Sequence, residues 1–231
     1  MRELDRVREV YAERDRRRGL AARYDPLDPA NLLLVQERER AVAALLRCYG
    51  LVPLGEKRVL EVGCGTGGEL RRFVGYGARP CNLHGIDLLP SYVESGKETS
   101  PNLHLVCGSA DNLPYPDAWF DLVMQFTMFT SILDDAVRRQ AAEEMLRVLK
   151  PAGVILWYDF WVNPINPDVR AIGLREIRAL FPGCRLDARR VTLAPPLARR
   201  LARRSWWACE LLGTLPWLRT HYLVAIAKND A

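Results

Sequence analysis

The order of apolar and polar residues divides the chain into an N-terminal helical part and a longer part in which short apolar segments alternate with helices. Near the N-terminus, four apolar residues recur at the spacing of one helical face: Leu4, Val7, Val10 and Tyr11. This pattern predicts an amphipathic helix over residues 2–23 with a strongly basic opposite face. Asp28 followed by Pro29 is typical of a helix start and Gly50 of a helix end, so we expect a second helix between them.

From Lys57 onward, seven apolar segments have the length of strands. They are RVLEVG, NLHGIDL, NLHLVCGSA, FDLVMQF, VILWYDFW, CRLDARRVTL and HYLVAIAK. Because helical segments separate most of them, the pattern predicts a doubly wound α/β fold with a mostly parallel seven-stranded sheet. The last two strands are separated by an irregular segment, residues 195–219, instead of a clear crossover helix. We therefore expect the last strand to run antiparallel at or near an edge of the sheet.

Composition indicates an ordinary globular protein, with 49% apolar and 26% charged residues. No apolar run approaches the roughly 20 residues that a membrane-spanning helix needs. The basic N-terminus has no apolar signal-peptide core, so we expect a cytoplasmic protein. The six cysteines form no C-x-x-C pair and the three histidines no cluster, so we predict neither a metal site nor a disulfide framework.

The net charge of +5 is concentrated in two arginine runs, within residues 14–18 and 199–204. Such runs are typical of helix faces that are exposed to solvent. The alternative is a surface that binds an anionic partner. The chain has no nucleic-acid-binding motif and no ladder of aromatic residues for stacking bases, so we expect no nucleic-acid partner.

The candidate chemistry begins in VLEVGCGTGGEL, after the first predicted strand. Gly63, Gly65 and Gly68 fit the G-x-G-x-x-G pattern of dinucleotide-binding loops. Glu61 and Gly67 complete an E-x-G-x-G-x-G pattern, which is typical of loops that bind S-adenosylmethionine. Glycines let the backbone approach a ligand closely, and the following helix start can meet a negative group.

Asp87 ends the second predicted strand, 19 residues after Gly68. An acidic residue at this position is suited to accept hydrogen bonds from the hydroxyl groups of an adenosine ribose. NAD and S-adenosylmethionine both contain that ribose, so Asp87 and the glycines leave both cofactors open.

A third segment separates the two alternatives. GSADNLPYPDAWFDLV, residues 108–123, joins the third strand to the fourth, and LEVGCGTG, GIDLLPSYV and EMLRVLKPAGVILWYDF stand in order around it. Together these motifs resemble class I S-adenosylmethionine-dependent methyltransferases of the small-molecule type, with a type 11/25-like domain, over roughly residues 57–160. The resemblance implies a Rossmann-like fold, S-adenosylmethionine as methyl donor and S-adenosylhomocysteine as product.

The resemblance also implies which residues hold the methionine part of the cofactor. The backbone of the glycine turn would cradle it, with Gly63, Cys64, Gly65 and Gly67 as contacts. Glu61 would orient the ammonium group through a water molecule.

At the other end of the cofactor, the resemblance assigns the ribose to Asp87 and one face of the adenine to Leu88. Asp111 would accept a hydrogen bond from the adenine amino group, and the N–H of Ala110 would face a ring nitrogen. A loop-capping role is the alternative for Asp111.

Four residues are candidates for the region around the transferred methyl group. The resemblance places Gln125 or Phe126 beside the sulfonium, and Tyr24, in ARYD, near the methyl group. Asp159, at the end of the fifth strand, is a candidate general base that would point into the substrate mouth. A carboxylate that holds a loop is an equal alternative for Asp159, a packed helix-end tyrosine for Tyr24, and a plain core residue for Phe126.

The predicted organisation is a single domain over residues 1–231. The resemblance implies an N-terminal helical lid (1–56), a cofactor-binding core (57–160) and a substrate side with the last helices and strands (161–231). Three roles compete for the Arg- and Trp-rich segment 197–219: a cap over the acceptor pocket, which we favour, a peripheral membrane contact, or a homodimer contact.

The absence of nucleic-acid methylation motifs, such as N/D-P-P-Y/F after the fourth strand, favours a small-molecule acceptor, hydrophobic or lipid-linked. An NAD-dependent oxidoreductase is the alternative enzyme, but the chain has no Tyr-x-x-x-Lys pair. A cofactor-binding partner protein without catalysis is the third alternative, and the complete glycine turn, Asp87 and Asp111 argue against lost cofactor binding.

Overall fold

The computed structural model describes residues 3–16, 25–162 and 166–229. The described residues form eight α-helices and seven β-strands. The helices are α1 (Glu3–Arg16), α2 (Pro29–Cys48), α3 (Gly68–Gly75), α4 (Pro90–Thr99), α5 (Asp135–Val148), α6 (Leu174–Leu180), α7 (Pro195–Leu201) and α8 (Trp206–Gly213). The strands are β1 (Val59–Val62), β2 (Leu83–Asp87), β3 (His104–Cys107), β4 (Phe120–Phe126), β5 (Leu149–Phe160), β6 (Cys184–Leu193) and β7 (Arg219–Lys228).

The strands form one sheet in the order β3-β2-β1-β4-β5-β7-β6. β1 to β5 pair in parallel, whereas β7 runs antiparallel to both of its neighbours, β5 and β6. The prediction of one antiparallel strand near an edge is therefore confirmed, with β7 one strand in from that edge. The segment after β6 re-enters the sheet at the same end of the strands at which β6 leaves it. β7 therefore runs in the opposite direction to β6.

Helices cover both faces of the sheet, which makes it doubly wound. One face packs against α2, α3 and α4 through an apolar cluster that includes Leu45 and Phe73. The other face packs against α5 and α6 through a cluster that includes Met145, Trp157 and Ile177. Because the central strands are buried on both sides, β4 is almost continuously apolar in sequence.

The predicted start and end of α2 are confirmed. The Asp28 side chain accepts hydrogen bonds from the backbone N–H groups of Ala30 and Asn31, and Pro29 occupies the first turn. Gly50 follows the helix in the left-handed conformation, with φ of +63°. None of the helices in the described residues is both long and apolar enough to cross a lipid bilayer.

Three parts of the chain differ from the prediction by more than a few residues or in the type of structure. The helix expected over residues 2–23 is described as α1 as far as Arg16, and residues 17–24 lie outside the described part. β5 begins at Leu149, earlier than expected, because Leu149 pairs with Phe120 before a register shift in β4. The segment after β6, predicted to be irregular, contains α7 and α8.

Candidate functional site

A cavity of about 740 Å³ opens at the carboxyl ends of β1, β2 and β4. The strand order reverses here, because the chain runs from β1 to β2 and β3 on one side and then crosses to β4 on the other side of β1. Ligands of doubly wound sheets bind at such a reversal. The cavity wall consists of segments that follow these strands, together with one side of α1.

The glycine turn after β1 forms the floor of the cavity. Gly63 and Gly65 line it, with φ angles of +74° and +53° that L-residues rarely adopt. A Cβ atom on Gly63 would lie 2.6 Å from Cγ of Met128, so no side chain fits there without displacement of Met128. The backbone N–H of Gly63 donates to the carbonyl oxygen of Ile86 at 2.8 Å, which fixes the turn against β2.

Asp87 lies in the cavity wall beside the glycine turn. Its carboxylate accepts hydrogen bonds from the backbone N–H groups of Gly65 at 2.7 Å and Leu89 at 3.0 Å. Burial raises the pKa of Asp87, and these hydrogen bonds oppose the shift because they stabilise the ionised form. The side chain is thus held in one orientation at the carboxyl end of β2.

Glu61 lies on the α2 face of the sheet, directly below the glycine turn. It is 2% exposed, and within the described ranges its Oε2 atom has no hydrogen-bond partner. Burial, followed by the nearby Glu69 carboxylate, raises the pKa of Glu61 well above its usual value, although Arg38 opposes the shift. A buried polar atom without a partner is costly to the fold, so this oxygen is suited to a bound polar group or water.

The Arg38 guanidinium lies near enough to Glu61 to lower the pKa of its carboxyl group, and it also contacts the cavity wall. It lies over the ring of Phe126, 5.1 Å from the centroid, and Phe126 lines the cavity. Arg38 also forms an ion pair with Glu69, in the first turn of α3. Sequence reasoning missed Arg38, because nothing in α2 distinguishes it from the other arginines and glutamates of that helix.

The predicted cofactor residues fall into two groups by position. Six line the cavity: Gly63, Gly65, Asp87, Leu88, Ala110 and Phe126. Five lie close to these residues in the chain but outside the wall: Glu61, Cys64, Gly67, Asp111 and Gln125.

Three residues of the second group have structural contacts of their own. Gln125 is fully buried, and its side chain accepts from the N–H of Met128 at 2.9 Å, so it holds the turn after β4. The Cys64 thiol is buried and would be 2.7 Å from a Cβ on Gly85, and its burial raises its pKa. Gly67 is the N-cap of α3, with φ of +80°.

The prediction that Asp159 points into the substrate mouth is wrong. Asp159 is 1% exposed, and its carboxylate accepts hydrogen bonds from the hydroxyl group of Thr130 at 2.8 Å and from the N–H of Thr130 at 3.2 Å. These hydrogen bonds hold the short turn Phe129–Ser131 in place. Asp159 reaches this turn because its side chain points to the same face of β5 as Trp157, which packs against Phe129. Tyr24, the other predicted catalytic residue, lies outside the described residues.

Burial raises the pKa of Asp159 from 3.8 to about 7, and the hydrogen bonds from Thr130 only partly oppose this. Between these values the folded protein holds a proton that the unfolded chain has lost. The contribution of Asp159 to stability is therefore fully present below about pH 4 and is lost as pH rises through 7.

The Asp159→Asn variant should remove this pH dependence. Because Asn cannot ionise, the free energy of unfolding of the variant relative to wild type should rise between pH 4 and 7, by up to about 1.4 kcal/mol per pH unit. Urea unfolding at pH 5, 6, 7 and 8 measures this, with Asp187→Asn on the partly exposed edge strand β6 as control. Parallel profiles for Asp159→Asn and wild type would contradict the assignment.

Helix α1 covers the cavity with the apolar face that its sequence predicted, although none of its residues is fully buried. Its N-terminal part is fastened to the segment after β4. Arg6 donates to the carbonyl oxygen of Ser131 at 2.6 Å, and the hydroxyl groups of Tyr11 and Ser131 are 2.9 Å apart. Near the other end, the Tyr92 hydroxyl donates to Asp15 at 2.7 Å.

The segment 195–219 does not form a cap over this cavity, because none of its residues lines the wall. It packs on α2 through an apolar cluster of Ala30, Leu33, Ala198, Ala202 and Cys209. The segment connects β6 to β7, which lie at the opposite side of the sheet from β1 and β2. The sequence of the segment does not reveal this strand order.

Residues 59–153 match a protein family described as "Methyltransferase domain". Phthiotriol/phenolphthiotriol dimycocerosates methyltransferase of Mycobacterium tuberculosis is 36% identical over 132 residues, which cover 54% of this chain and 47% of that protein. The 2-methyl-6-phytyl-1,4-hydroquinone methyltransferase of Synechocystis is 32% identical over 149 residues, which cover 57% of this chain and 45% of that protein. The chain thus spans about half the length of the curated relatives it matches.

Solved structures share the fold at lower sequence identity. A TehB-like SAM-dependent methyltransferase from Corynebacterium glutamicum superimposes with a TM-score of 0.59 at 18% identity, covering 96% of this chain and 97% of that one. An S-adenosylmethionine-dependent methyltransferase from Mesorhizobium loti gives 0.58 at 16% identity, over 79% and 95% of the two chains.

Proposed function

We propose that residues 59–153, which match a family described as "Methyltransferase domain", form a class I S-adenosylmethionine-dependent methyltransferase domain, and that this protein transfers a methyl group from S-adenosylmethionine to a small hydrophobic acceptor. The observation that carries the proposal is the composition of the cavity at the sheet reversal. The segments that follow the strands contribute the glycine turn and Asp87 to the wall of that cavity. Helix α1 contributes apolar residues such as Leu4 and Val7, together with charged residues at its two ends.

Three features of the site fit S-adenosylmethionine. Gly63 and Gly65 bring backbone without side chains to the cavity wall, and the space beside Gly65 is open among the described residues. The Asp87 carboxylate is fixed in the wall, where it can accept hydrogen bonds from ribose hydroxyl groups. Glu61 has a buried oxygen without a partner among the described residues, as a site for an ammonium group and its water requires.

The proposed cofactor contacts follow from these features. The backbone of Gly63 and Gly65 holds the methionine part, and Leu88 packs on the adenine. The backbone N–H of Ala110 faces a ring nitrogen of the adenine. The carboxylate of Asp111, the next residue, accepts a hydrogen bond from the adenine amino group. When bound, S-adenosylmethionine supplies an electrophilic methyl group with its own leaving group.

The protein's contribution on the acceptor side is to orient the acceptor and to exclude water. The wall there is formed largely by apolar side chains: Leu4, Val7, Phe126, Met128, Ile132 and Val137. The hydroxyl groups of Tyr11 and Ser131 provide a polar point where an acceptor hydroxyl can be aligned. Asp159 keeps this side in place through Thr130, without touching the acceptor.

The names of the relatives support a hydrophobic acceptor. One relative is named for a phytyl-substituted hydroquinone and another for phthiotriol and phenolphthiotriol dimycocerosates. An apolar wall of this kind stabilises a hydrophobic acceptor by removing its surface from water, at about 25 cal/mol per Å².

Calorimetry with S-adenosylmethionine, S-adenosylhomocysteine and NAD tests the cofactor. We expect the first two to bind and NAD not to bind, and an absence of S-adenosylmethionine binding at millimolar concentration would overturn the proposal. Transfer of a labelled methyl group to a phytyl hydroquinone, a long-chain alcohol, an amine and a sugar then tests the acceptor. Methylation of the polar acceptors alone would contradict the hydrophobic assignment.

The Val7→Glu variant should separate acceptor binding from cofactor binding. Val7 lies on the cavity side of α1, so a carboxylate there would have to be desolvated against the apolar acceptor. We expect the KM of the best acceptor to rise about tenfold or more, at about 1.4 kcal/mol per tenfold change, while cofactor affinity changes little. Ala12→Glu, on the exposed side of the same helix, should leave both unchanged.

A further inference from the structure

A second surface of the molecule carries features of a binding site that the cavity does not use. It consists of α8, the short turn Pro216–Leu218 and the end of α7. Three large apolar side chains project from it into solvent: Trp207 is 85% exposed, Leu211 71% and Trp217 67%. Trp207 and Leu211 are four residues apart on α8 and therefore lie on one helix face. We call these three residues the apolar patch.

Unpaired positive charge adjoins the apolar patch. The guanidinium groups of Arg200 and Arg204 form no ion pair with any residue in the ranges 3–16, 25–162 and 166–229, and both side chains are exposed. Arg203 is paired with Asp28, at 2.7 Å, and Glu210, the one acidic residue within 195–219, is paired with Arg40, at 2.9 Å. The surface around the patch is therefore net positive.

Such a surface fits an anionic lipid bilayer better than a second copy of the chain. Tryptophan is enriched where a protein meets the boundary between headgroups and acyl chains, and arginine pairs there with phosphate. A symmetric dimer through this surface would bring the same arginines of two copies together, and like charges at an interface are unfavourable.

The position of the surface relates it to the cavity. β6 ends and β7 begins at the carboxyl edge of the sheet, the edge at which the cavity opens. They lie three and two strands beyond β4, roughly 10–15 Å at about 4.8 Å per strand. A membrane that contacted the apolar patch would thus lie at the edge from which a hydrophobic acceptor enters.

We propose that the apolar patch, with Arg200 and Arg204, docks this protein on a membrane surface that contains anionic lipid. The contact is peripheral: the aromatic and leucine side chains enter the interface, and the arginines neutralise lipid phosphates. The inference supplies a source of the hydrophobic acceptor, and to that extent it rests on the proposed function. Its test does not need turnover.

Co-sedimentation of the full chain with vesicles tests the proposal. We expect binding to phosphatidylcholine vesicles that contain about a third of phosphatidylglycerol, weaker binding to phosphatidylcholine alone, and weaker binding at high salt. Arg200→Glu combined with Arg204→Glu should reduce the partition coefficient at least tenfold, since each basic residue near the surface contributes about 1 kcal/mol. Trp207→Ser combined with Leu211→Ser should also reduce it about tenfold or more.

Matched controls exclude general effects of charge and apolarity. Arg175→Glu with Arg178→Glu makes the same charge change on exposed positions of α6, and Val74→Ser with Val162→Ser removes other exposed apolar side chains. Both should bind vesicles like wild type. All variants should retain their thermal unfolding temperature and their affinity for S-adenosylmethionine, so a failure of docking is distinguishable from a failure of the proposed function.

Two results would overturn the proposal. One is equal vesicle binding by wild type and the patch variants, and the other is no binding of wild type to anionic vesicles. Sedimentation velocity without lipid tests the alternative that a second copy of the chain covers the apolar patch. If wild type dimerises and Trp207→Ser with Leu211→Ser is monomeric, while neither binds vesicles, the patch is an interface between two copies.

Discussion

Replacement of Gly63 by alanine should abolish measurable binding of S-adenosylmethionine and destabilise the fold. Gly63 has φ of +74°, a conformation that costs a residue with a Cβ atom about 1–2 kcal/mol. The added Cβ would also lie 2.6 Å from Cγ and 2.8 Å from Cβ of Met128, so the turn after β4 has to move. That turn and the glycine turn form adjoining parts of the cavity wall, so the cofactor would lose its contacts with both turns. We expect affinity to fall at least 100-fold in calorimetry.

Gly75→Ala is the matched control for this experiment. Gly75 is the last residue of α3 and does not line the cavity, and no atom of the described residues outside its own helix turn lies within 4 Å of an added Cβ. Alanine is a better helix former than glycine, by up to roughly 1 kcal/mol in a helix interior, so at the helix end this variant should unfold at the same or a slightly higher urea concentration and bind the cofactor normally. If Gly63→Ala retained wild-type affinity, the glycine turn would not be the cofactor cradle.

The predicted cofactor residues that line the cavity have local signals in the sequence. Gly63 and Gly65 follow a short apolar strand, and a tight turn before a helix leaves few alternatives to glycine in the left-handed region. Asp87 ends the next strand, and parallel neighbours bring their carboxyl ends to one edge of the sheet. The order of strands and turns along the chain therefore predicts this half of the cavity.

Asp159 shows where local signals end. Its position at the end of β5 was read correctly, but its orientation depends on which face of β5 meets the turn Phe129–Ser131. That turn is about 30 residues earlier in the chain, and the contact exists only after β4 and β5 have paired. Of the two alternatives for this carboxylate, the geometry matches the one that holds a loop.

The segment 195–219 was misplaced for a similar reason. Its apolar residues predict that the segment packs against another part of the protein. Which part it packs against depends on the strand order β5-β7-β6 at one side of the sheet. With β7 inserted between β5 and β6, the segment meets the N-terminal part of α2 instead of the cavity. Helix α1 covers the cavity, through the face predicted from Leu4, Val7 and Tyr11.

Asp87→Ala should weaken S-adenosylmethionine binding about 100-fold. In the structure the carboxylate lines the cavity and is oriented by the N–H groups of Gly65 and Leu89. A hydrogen bond to a charged group contributes about 1.5–3 kcal/mol, and a ribose diol can donate two. Asp87→Asn keeps the size and one acceptor oxygen, so its affinity should lie between those of wild type and alanine. Calorimetry with S-adenosylhomocysteine, which cannot react, measures the series.

A comparison of adenosine with adenine identifies the ribose as the group that Asp87 binds. Adenosine should compete for the site in wild type and lose affinity in both variants, whereas weak competition by adenine should be the same in all three proteins. Because Asp87 also fixes Gly65, thermal unfolding is measured alongside, and Asp187→Ala on β6 controls for the loss of a carboxylate elsewhere. An equal loss for adenosine and adenine would mean that Asp87 acts by shaping the glycine turn, and the ribose assignment would be wrong.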